Sequence, residues 1–454
     1  MKLILLSGGS GKRLWPLSND ARSKQFLKVL KNEKGQYESM VQRVFNQLRS
    51  LNLEKDTIIA TSSTQVEMIK NQLGEGVTII SEPSRRDTFP AIALSIAYIN
   101  DYLKADKDEI VAVLPVDPFV DTNFFNKVKD LEELIQTSNA DLALIGIKPT
   151  FASEKYGYIA PKESTEEKYS LVDNFIEKPK QKIAEDLISR GALWNSGVFA
   201  FRVGYLEECL ASYNIPLNYD FIYSNYENLV KTSFDYAVVE EAENIVVTKY
   251  EGYWKDLGTW NTLTEEMATS TLGIVNTLDT QNTHVINELG IPVSVMGLEN
   301  VIIAASPDGI LVTTKKESPK IKELMKDHTA LPMYEERSWG NFKVIDFSKF
   351  GNHEVVTKYL NIIPGKNLSL HTHNSNFKNW TVINGEGILL INGVLKTLRK
   401  GDIIQIKGDE EHAVKAISKL EIIEVQQGDS LSNQHIEIIE SSWMKMEEKI
   451  FASN

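Results

Sequence analysis

"LLSGGSGKRLWPLS", residues 5–18, is the stretch that decides the fold of the N-terminal part of the chain. An apolar run over residues 2–6 stops at a turn that is rich in glycine and ends in two cations: Gly8, Gly9, Gly11, Lys12 and Arg13. Glycines that directly follow a strand let the backbone approach a ligand closely, and this ligand is often a phosphate. The stretch therefore predicts a phosphate-binding loop at the carboxyl end of a strand.

This loop matches neither of two familiar phosphate-binding fingerprints. The P-loop needs a hydroxyl residue after its Gly-Lys pair, but Arg13 follows Lys12 here. The dinucleotide fingerprint needs a third glycine at the position that Leu14 occupies. The remaining alternatives are a different nucleotide-binding loop and an ordinary turn with solvated cations.

The composition excludes several classes of protein. The 454 residues predict two to four domains, and the net charge of −13 argues against a general nucleic-acid binder. A single nucleotide held by a few local cations is compatible with that charge. Because Cys209 is the one cysteine, no disulfide can form within the chain, and we expect a cytoplasmic protein. No apolar segment reaches the ~18 residues of a membrane span, so no membrane partner is expected.

The pattern along the chain divides it into three predicted domains. Residues 1–268 alternate strand-like runs with amphipathic helical stretches, which predicts an α/β, Rossmann-like domain with a mostly parallel sheet. Residues 269–335 hold short β-rich pieces and a helix over 320–326, and they are predicted to form a small linking domain. Residues 336–454 are mostly strands with turn signals, such as the Asn-Gly pair at 392–393, and they predict a small β-barrel.

Two carboxylates in distant parts of the chain are candidate metal ligands. Asp117 follows a buried-looking strand at the sheet edge where ligands bind. Asp256 lies in "YWKDLGTW", between aromatic residues and next to Gly258. Carboxylate oxygens together with nucleotide phosphates are typical ligands of Mg²⁺. A helix-capping turn is the alternative explanation for Asp117.

Further polar residues stand in short, well-defined segments at predicted strand ends. Each is weak evidence alone, since a charged loop residue is usually only solvated, but together they indicate a site. Asn195 and Ser196 in "WNSGVFAF" are candidate partners of sugar hydroxyls. The other charged candidates are Lys24 in "SKQFL", Glu177 and Lys178 in "FIEKP", and Glu82, Arg86 and Asp87 in "EPSRRDTFP".

Seven motifs in this order carry a family resemblance: "SGGSGKRLWPLS…SKQFL", "EPSRRDTFPAIA", "VLPVD", "YGYI", "FIEKP", "WNSGVF" and "WKDLGTW". Through about residue 330 they resemble the mannose-1-phosphate guanylyltransferases. The whole chain resembles the long bacterial form of that family, in which a C-terminal cupin domain carries phosphomannose isomerase activity. The resemblance implies a nucleotidyltransferase domain, a linking domain and a cupin-type β-barrel, and it allows a homo-oligomer formed through the cupin domain.

The resemblance also implies a reaction and a role for each candidate residue. GTP and mannose 1-phosphate would give GDP-mannose and pyrophosphate, with Mg²⁺ as the cofactor held by Asp117 and Asp256. The glycine loop would wrap the triphosphate, with charge from Arg13 and Lys24 and a less defined role for Lys12. The sugar phosphate would meet Lys178, and the hexose would meet Glu177, Asn195, Ser196, Tyr156 and Gly157. The guanine and ribose would be read near Glu82, Arg86 and Asp87.

The chain departs from the family pattern at a few positions. Pro118 replaces a histidine after the first metal carboxylate, and Asp87 replaces an asparagine. Neither change removes a metal carboxylate, and the details of nucleotide selectivity stay open. Two alternatives stay open: a guanylyltransferase for another sugar 1-phosphate, of the manno-heptose or fucose type, and an inactive paralogue.

The cupin region lacks part of its expected metal site. His371, His373 and His412 match the pattern, but Lys378 stands where a glutamate ligand is expected. An ammonium ~4 Å from a unit charge costs about 4 kcal/mol at an effective dielectric constant of ~20. Three histidines can still hold a metal weakly. We expect no isomerase activity, because Lys378 replaces the glutamate. In addition, Ser375, Asn376 and Asn379 replace other polar groups of the isomerase pattern. A bifunctional enzyme is the alternative.

Overall fold

The computed structural model describes residues 1–9, 11–19, 22–162, 168–326, 332–373, 377–429, 431 and 436–452. Within these residues, the N-terminal region is built from alternating strands and helices. Its strands are β1 (Lys2–Leu6), β2 (Leu30–Lys31), β3 (Tyr37–Glu38), β4 (Thr57–Ser62), β5 (Thr78–Glu82), β6 (Ile110–Pro115), β7 (Pro118–Val120), β8 (Leu142–Ile147), β9 (Tyr158–Pro161), β10 (Ser170–Ile176), β11 (Leu193–Arg202), β12 (Ile245–Tyr250) and β13 (Trp254–Asp256).

The helices of this region cover both faces of its sheet. They are α1 (Met40–Ser50), α2 (Val66–Leu73), α3 (Thr88–Asp101), α4 (Asn123–Ser138), α5 (Gln181–Ser189), α6 (Val203–Ser212), α7 (Tyr219–Ser224) and α8 (Trp260–Glu266). Alternation along β1 separates the two layers: Leu5 packs with residues of α1 and α4, whereas Ile4 packs with residues of α3 and α6. Both side chains are fully buried, so the sheet forms the middle layer of three.

The main sheet has the order β5-β4-β1-β6-β11-β8-β12-β10-β9. The pairings from β5 through β4 and β1 to β6 are parallel, and so is β8 with β12. The strands β10 and β11 pair antiparallel with each of their described neighbours. The carboxyl ends of β5, β1 and β6 therefore share one edge, where the loops after them place the predicted ligand site.

A small region of mostly parallel strands follows the main sheet. It holds β14 (Thr271–Leu272), β15 (Val275–Leu278), β16 (His284–Asn287), β17 (Val293–Met296), β18 (Val301–Ser306), β19 (Gly309–Thr314) and the short α9 (Ile321–Leu324). The helix that the sequence predicts over 320–326 is shorter in the structure, and it follows a 3₁₀ turn at Ser318–Lys320. Ile302 and Ala304 of β18 share the core cluster that contains Leu5. We call this region the linking sheet, and it packs on the face of the first region that contains Leu5.

The C-terminal region is a β-barrel with the elements β20 (Tyr334–Arg337), β21 (Gly340–Phe350), β22 (His353–Ile362), β23 (Leu370–His373), β24 (Phe377–Asn384), β25 (Glu386–Ile391), β26 (Val394–Arg399), β27 (Ile403–Ile406), β28 (His412–Ala416), β29 (Leu420–Asp429), β30 (Ile436–Glu440) and α10 (Trp443–Ala452). Its strands form two antiparallel sheets, β20-β21-β22-β29-β24-β27 and β26-β25-β28-β23-β30. Trp380, Val414 and Ile422 fill the space between the sheets. The α/β and β-barrel fold classes predicted from the sequence are confirmed.

The barrel contacts the first region through α2. The side-chain amide of Asn71 donates to the carbonyl of Arg337 at 2.7 Å, and Glu67 accepts from the backbone N–H of Ser338 at 3.3 Å. Among the described residues, no helix combines the length and the apolarity that crossing a membrane requires.

Candidate active site

The two predicted metal carboxylates meet because two very short strands pair. β7 and β13 form an antiparallel ribbon in which Pro118 lies opposite Asp256. Asp117 directly precedes β7, so this register brings its carboxylate to the carboxylate of Asp256 across 139 positions of sequence, 117 to 256. Gly258 keeps the arrangement open, since a Cβ there would lie 2.9 Å from an Asp256 carboxylate oxygen.

Lys24 places its ammonium between these two carboxylates. Its Nζ lies 2.7 Å from Oδ2 of Asp117 and 3.7 Å from Oδ1 of Asp256. Burial lowers the pKa of Lys24, but the two carboxylates outweigh it and raise the pKa above its usual value. Lys24 therefore stays protonated, and the three side chains form one charged cluster at the carboxyl end of β6.

The glycine loop packs against the residues that follow it. Gly11 has a φ of 62°, and a Cβ on it would lie 1.9 Å from the carbonyl oxygen of Asn19. The hydroxyl of Ser23 donates to the carbonyl of Gly9 at 2.9 Å, and Ser18 donates to the carbonyl of Gly11. The loop thus needs glycine at position 11, and its shape is fixed by the chain that leads to Lys24.

The two cations of the loop differ in their surroundings. Arg13 is exposed, and its charge acts on Lys24, whose pKa it lowers in part. Lys12 is half-buried and donates to the carbonyl of Lys326 at 3.3 Å. Arg13 is therefore available to an incoming phosphate, whereas Lys12 contacts the end of the linking sheet.

Residues of the predicted sugar side converge near the end of β10. The side chain of Glu177 is buried and pairs with the half-exposed ammonium of Lys178, whose φ is 48°. A Cβ on Gly157 would lie 2.4 Å from Oε2 of Glu177, so the backbone at Gly157 faces this carboxylate. The carbonyl of Gly157 in turn accepts from the backbone N–H of Asn195 at 2.8 Å.

Asn195 is oriented by a residue that the sequence analysis missed. Its amide donates to Oδ1 of Asp235 at 2.8 Å and accepts from the N–H of Gly197 at 2.9 Å. Asp235 begins a π-helical turn, Asp235–Val239, of a kind often found at functional sites. Burial and the neighbouring charge of Glu177 raise the pKa of Asp235 to about 7. An aspartate inside the apolar run "SFDYAVV" was the available signal.

Ser196 is buried at 3% exposure, which places it in the sheet rather than in the open part of the site.

Tyr156 lies nearer to the predicted metal carboxylates than the other residues of the sugar side. Its ring packs edge-on against Trp194 and Trp254, at 4.9 and 5.7 Å between centroids. Burial and the charge of Asp256 raise the pKa of Tyr156 to about 12, so the phenol stays neutral. Tyr156 thus connects the sugar side with the carboxylates.

The predicted base-reading residues lie at the end of β5 and in the loop after it, and two of them contact the segment over residues 226–229. Glu82 is buried and accepts from the phenol of Tyr226 at 2.7 Å, and burial raises its pKa. Arg86 donates to the carbonyl of Leu229 at 3.0 Å. Asp87 is exposed and caps α3 through the N–H of Thr88. Glu82 and Arg86 therefore hold the 226–229 segment, while Asp87 also serves as a helix cap.

Comparison with known proteins identifies this arrangement. Residues 2–271, more than half of the chain, match the family described as Nucleotidyl transferase. The chain belongs to the nucleotidyl transferase family. Residues 323–441 match the family described as Mannose-6-phosphate isomerase C-terminal. The resemblance drawn from the sequence motifs is confirmed, and the chain is an enzyme of the nucleotidyltransferase class.

Individual relatives of this nucleotidyl transferase extend over nearly the whole chain. A Vibrio cholerae protein named putative mannose-1-phosphate guanylyltransferase is 29% identical over 95% of this chain and 98% of its own length. An Escherichia coli protein named mannose-1-phosphate guanylyltransferase is 29% identical over 91% of this chain and 95% of its own. A Thermus thermophilus structure, described as a mannose-1-phosphate geranyltransferase, superimposes with a TM-score of 0.61 at 27% identity, covering 72% of this chain and 98% of that one.

The barrel of this nucleotidyl transferase holds a second polar cluster. His371 and His412 lie opposite each other on β23 and β28, and the ligand atoms of His371, His373 and His412 lie within 4.8 Å of one another. The Nδ1 atoms of His371 and His412 donate to backbone carbonyls at 2.7 and 2.9 Å, which leaves their Nε2 lone pairs facing inward. All three rings are buried, and neither nitrogen of His373 has a hydrogen-bond partner among the described residues.

Lys378 points into the barrel, where Glu424 balances its charge. The Nζ of Lys378 lies 3.6 Å from Oε2 of Glu424, which also accepts from the indole N–H of Trp380 at 2.8 Å. Lys358 lies 3.8 Å from the other oxygen of Glu424. Burial lowers the pKa of Lys378 to about 8 although Glu424 raises it. The sequence analysis missed Glu424, because a carboxylate on the inward face of β29 has no local signal. Ser375 and Asn376 lie outside the described residues.

We predict that the metal-free barrel loses stability as the pH falls from about 6.5 to about 4. Burial, and then the charge of Lys378, lower the pKa values of His371, His373 and His412 to about 4, 2 and 3. As the pH falls, the unfolded chain therefore binds protons that the folded barrel does not bind. The free energy of unfolding drops by about 1.4 kcal/mol per histidine and pH unit.

This dependence of the unfolding free energy on pH is measured by denaturant unfolding of EDTA-treated protein, with hydrogen exchange in Phe377–Asn384 as the probe of the barrel. The variant His412→Gln should show a flatter dependence, since it lacks one of the three groups. A barrel stability that stays constant from about pH 6.5 to 4.5 contradicts the buried, neutral histidines.

Proposed function

We propose that the chain transfers the guanylyl group of GTP to mannose 1-phosphate, giving GDP-mannose and pyrophosphate. One observation carries this proposal: Lys24 stands between Asp117 and Asp256, and the neighbouring Ser23 bonds to Gly9 of the glycine loop. A sugar phosphate oxygen would attack the α-phosphorus, and the bond from that phosphorus to the pyrophosphate oxygen would break. The reaction needs no protein nucleophile, so positioning and charge neutralisation are the tasks left to the protein.

The donor set of the site fits a divalent cation such as Mg²⁺. Asp117 and Asp256 offer half-exposed carboxylates that already share one cation, the ammonium of Lys24. When bound there, Mg²⁺ would neutralise negative charge on the nucleotide phosphates. The two carboxylates themselves would hold and orient the cation, and Gly258 leaves space beside Asp256 for this.

The remaining groups divide between the two substrates. Arg13 and Lys24 supply positive charge to the triphosphate, and the backbone of the glycine loop approaches it. On the sugar side, Lys178 meets the phosphate of the acceptor, while Glu177 and Asn195 accept from or donate to hexose hydroxyls. The role of Ser196 is to support the strand, since it is buried. Glu82 and Arg86 shape the wall for the base through the 226–229 segment, and Asp87, exposed at the start of α3, completes the base-reading set.

The choice of GTP and mannose 1-phosphate is supported by the names of relatives that span nearly the whole chain. The test is pyrophosphate release by purified protein with GTP, ATP, UTP and CTP over a panel of sugar 1-phosphates. We expect GTP with mannose 1-phosphate to give the highest kcat/KM. A higher value with a manno-heptose or fucose 1-phosphate would reassign the acceptor. We place the reaction in the cytoplasm, and association of copies through the barrel stays a prediction.

Asp117→Asn and Asp256→Asn should each lower kcat for pyrophosphate release by about 100-fold or more, because each removes a carboxylate that holds the metal. Initial rates at limiting Mg²⁺ measure the effect. Asp121→Asn is the matched control, since Asp121 follows the same ribbon but accepts from the backbone N–H of Asn123. Near-normal turnover of either metal-site variant would show that the two-carboxylate assignment is wrong.

Lys178→Ala should raise KM for the sugar phosphate about tenfold or more and leave KM for GTP nearly unchanged. The physical reason is the loss of a charge-assisted hydrogen bond worth about 1.5–3 kcal/mol. Steady-state kinetics with each substrate varied in turn makes the measurement, with Lys180→Ala as the exposed control two residues away. A selective rise in KM for GTP would assign Lys178 to the nucleotide.

We propose a different role for the barrel: it holds a divalent ion on His371, His373 and His412 but does not isomerise mannose 6-phosphate. The inward lone pairs and the unpartnered nitrogens of His373 fit a cation, and buried polar atoms without partners are costly. Lys378 still takes the place of the carboxylate ligand, and its pairing with Glu424 reduces, without removing, the repulsion of a metal.

Lys378→Gln should tighten Zn²⁺ binding about tenfold or more, because it removes a buried ammonium next to the ion. Equilibrium dialysis with metal analysis measures the affinity, and His412→Ala should abolish it. Neither the wild type nor Lys378→Gln should convert mannose 6-phosphate to fructose 6-phosphate in a coupled assay. Robust isomerase turnover by the wild type would make Lys378 a catalytic group instead of a lost ligand.

A further inference from the structure

The glycine loop is held by a residue that reaches outside its own domain. Arg22 donates two hydrogen bonds to Glu288 of the linking sheet, from Nη1 to Oε2 at 2.8 Å and from Nη2 to Oε1 at 2.9 Å. Its guanidinium also lies over the ring of Tyr334, 5.1 Å from the centroid. Arg22 is 7% exposed, so loss of Glu288 would remove the main partner of a buried charge.

A second set of contacts joins the same loop to the same sheet. The amide of Asn19 donates to Oδ2 of Asp308 at 2.7 Å, and Ser306 donates its hydroxyl hydrogen to the carbonyl of Pro16 at 2.6 Å. Trp15 packs on Gly309, where a Cβ would lie 2.6 Å from the indole ring. The linking sheet therefore grips the loop at several points between residues 15 and 22.

These contacts connect directly to the glycine loop and Lys24, the groups predicted to face the substrate. Asn19 and Arg22 bond to each other, from the N–H of Arg22 to Oδ1 at 2.6 Å and from the N–H of Asn19 to the Arg22 carbonyl at 2.9 Å. Asn19 also forms the surface against which Gly11 turns. Lys24 follows Arg22 by two residues and reaches Asp117. A shift of Arg22 would thus move both the turn of the glycine loop and the root of Lys24.

From this geometry we propose that Arg22 and Glu288 are positioning residues: the linking sheet sets the glycine loop and Lys24 in the arrangement that receives the nucleoside triphosphate. Neither residue touches the reacting atoms. The consequence for kinetics rests on the proposed function, but the positioning itself does not. A bidentate ion pair between the two regions makes the linking sheet part of the proposed nucleotide site and not only a spacer.

Hydrogen exchange of the substrate-free protein tests the positioning without any assumption about the reaction. Glu288→Gln should raise the exchange rate of loop amides in residues 8–19 by about tenfold, while peptides of α3 on the far side of the sheet keep their rates. Glu288→Asp keeps the charge on a shorter arm and should give an intermediate rate. Glu299→Gln is the matched control, because it removes one exposed carboxylate from the same region.

Kinetics on the same folded variants tests the consequence. Glu288→Gln should raise KM for GTP about tenfold and lower kcat, while KM for mannose 1-phosphate changes less than about twofold. Glu288→Asp should restore part of the loss. Unchanged loop exchange in Glu288→Gln, or in Glu288→Asp if the glutamine variant does not fold, overturns the proposal. A lower melting temperature with unchanged loop exchange and KM also overturns it, since it shows a purely structural pair. A wild type inactive with GTP refutes the proposed function and leaves the exchange result decisive.

Discussion

The ammonium of Lys24 between Asp117 and Asp256 is the interaction on which the candidate site depends. Two neighbouring carboxylates repel each other, and Lys24 offsets this repulsion by placing a cation between them. The three residues come from three distant segments. Their meeting therefore requires the parallel pairing of β1 with β6, the β7–β13 ribbon and the closed glycine loop at the same time.

The same requirement, that a buried charge has a partner, organises the rest of the chain. Arg22 is paired with Glu288 between the first region and the linking sheet, and Lys378 is paired with Glu424 inside the barrel. In the first case the pair lies beside the loop of the proposed nucleotide site. In the second it occupies the position where the family resemblance implies a metal ligand, so the three clustered histidines lie beside a paired ammonium and carboxylate.

Much of the fold was predictable from the sequence, because periodicity and the glycine turn are local signals. Strand ends after residues 6, 82 and 115 placed the candidate residues at one sheet edge. What could not be predicted depends on contacts between distant residues. β7 and β13 have three residues each, too few to show a period, so the approach of Asp117 and Asp256 had no sequence signal beyond the family resemblance. Glu424 was missed because a carboxylate on the inward face of β29 has no local signal. Asp235 was missed although it interrupts the apolar run over residues 233–239.

A crystal structure of the wild-type protein with Mg²⁺ and GDP-mannose tests the central claim most directly. The account predicts a cation in contact with carboxylate oxygens of both Asp117 and Asp256 and with a phosphate of the nucleotide sugar. It also predicts the glycine loop beside that diphosphate and Lys178 and Glu177 on the sugar side. A nucleotide sugar bound elsewhere, or a cation that contacts neither aspartate, would contradict the account.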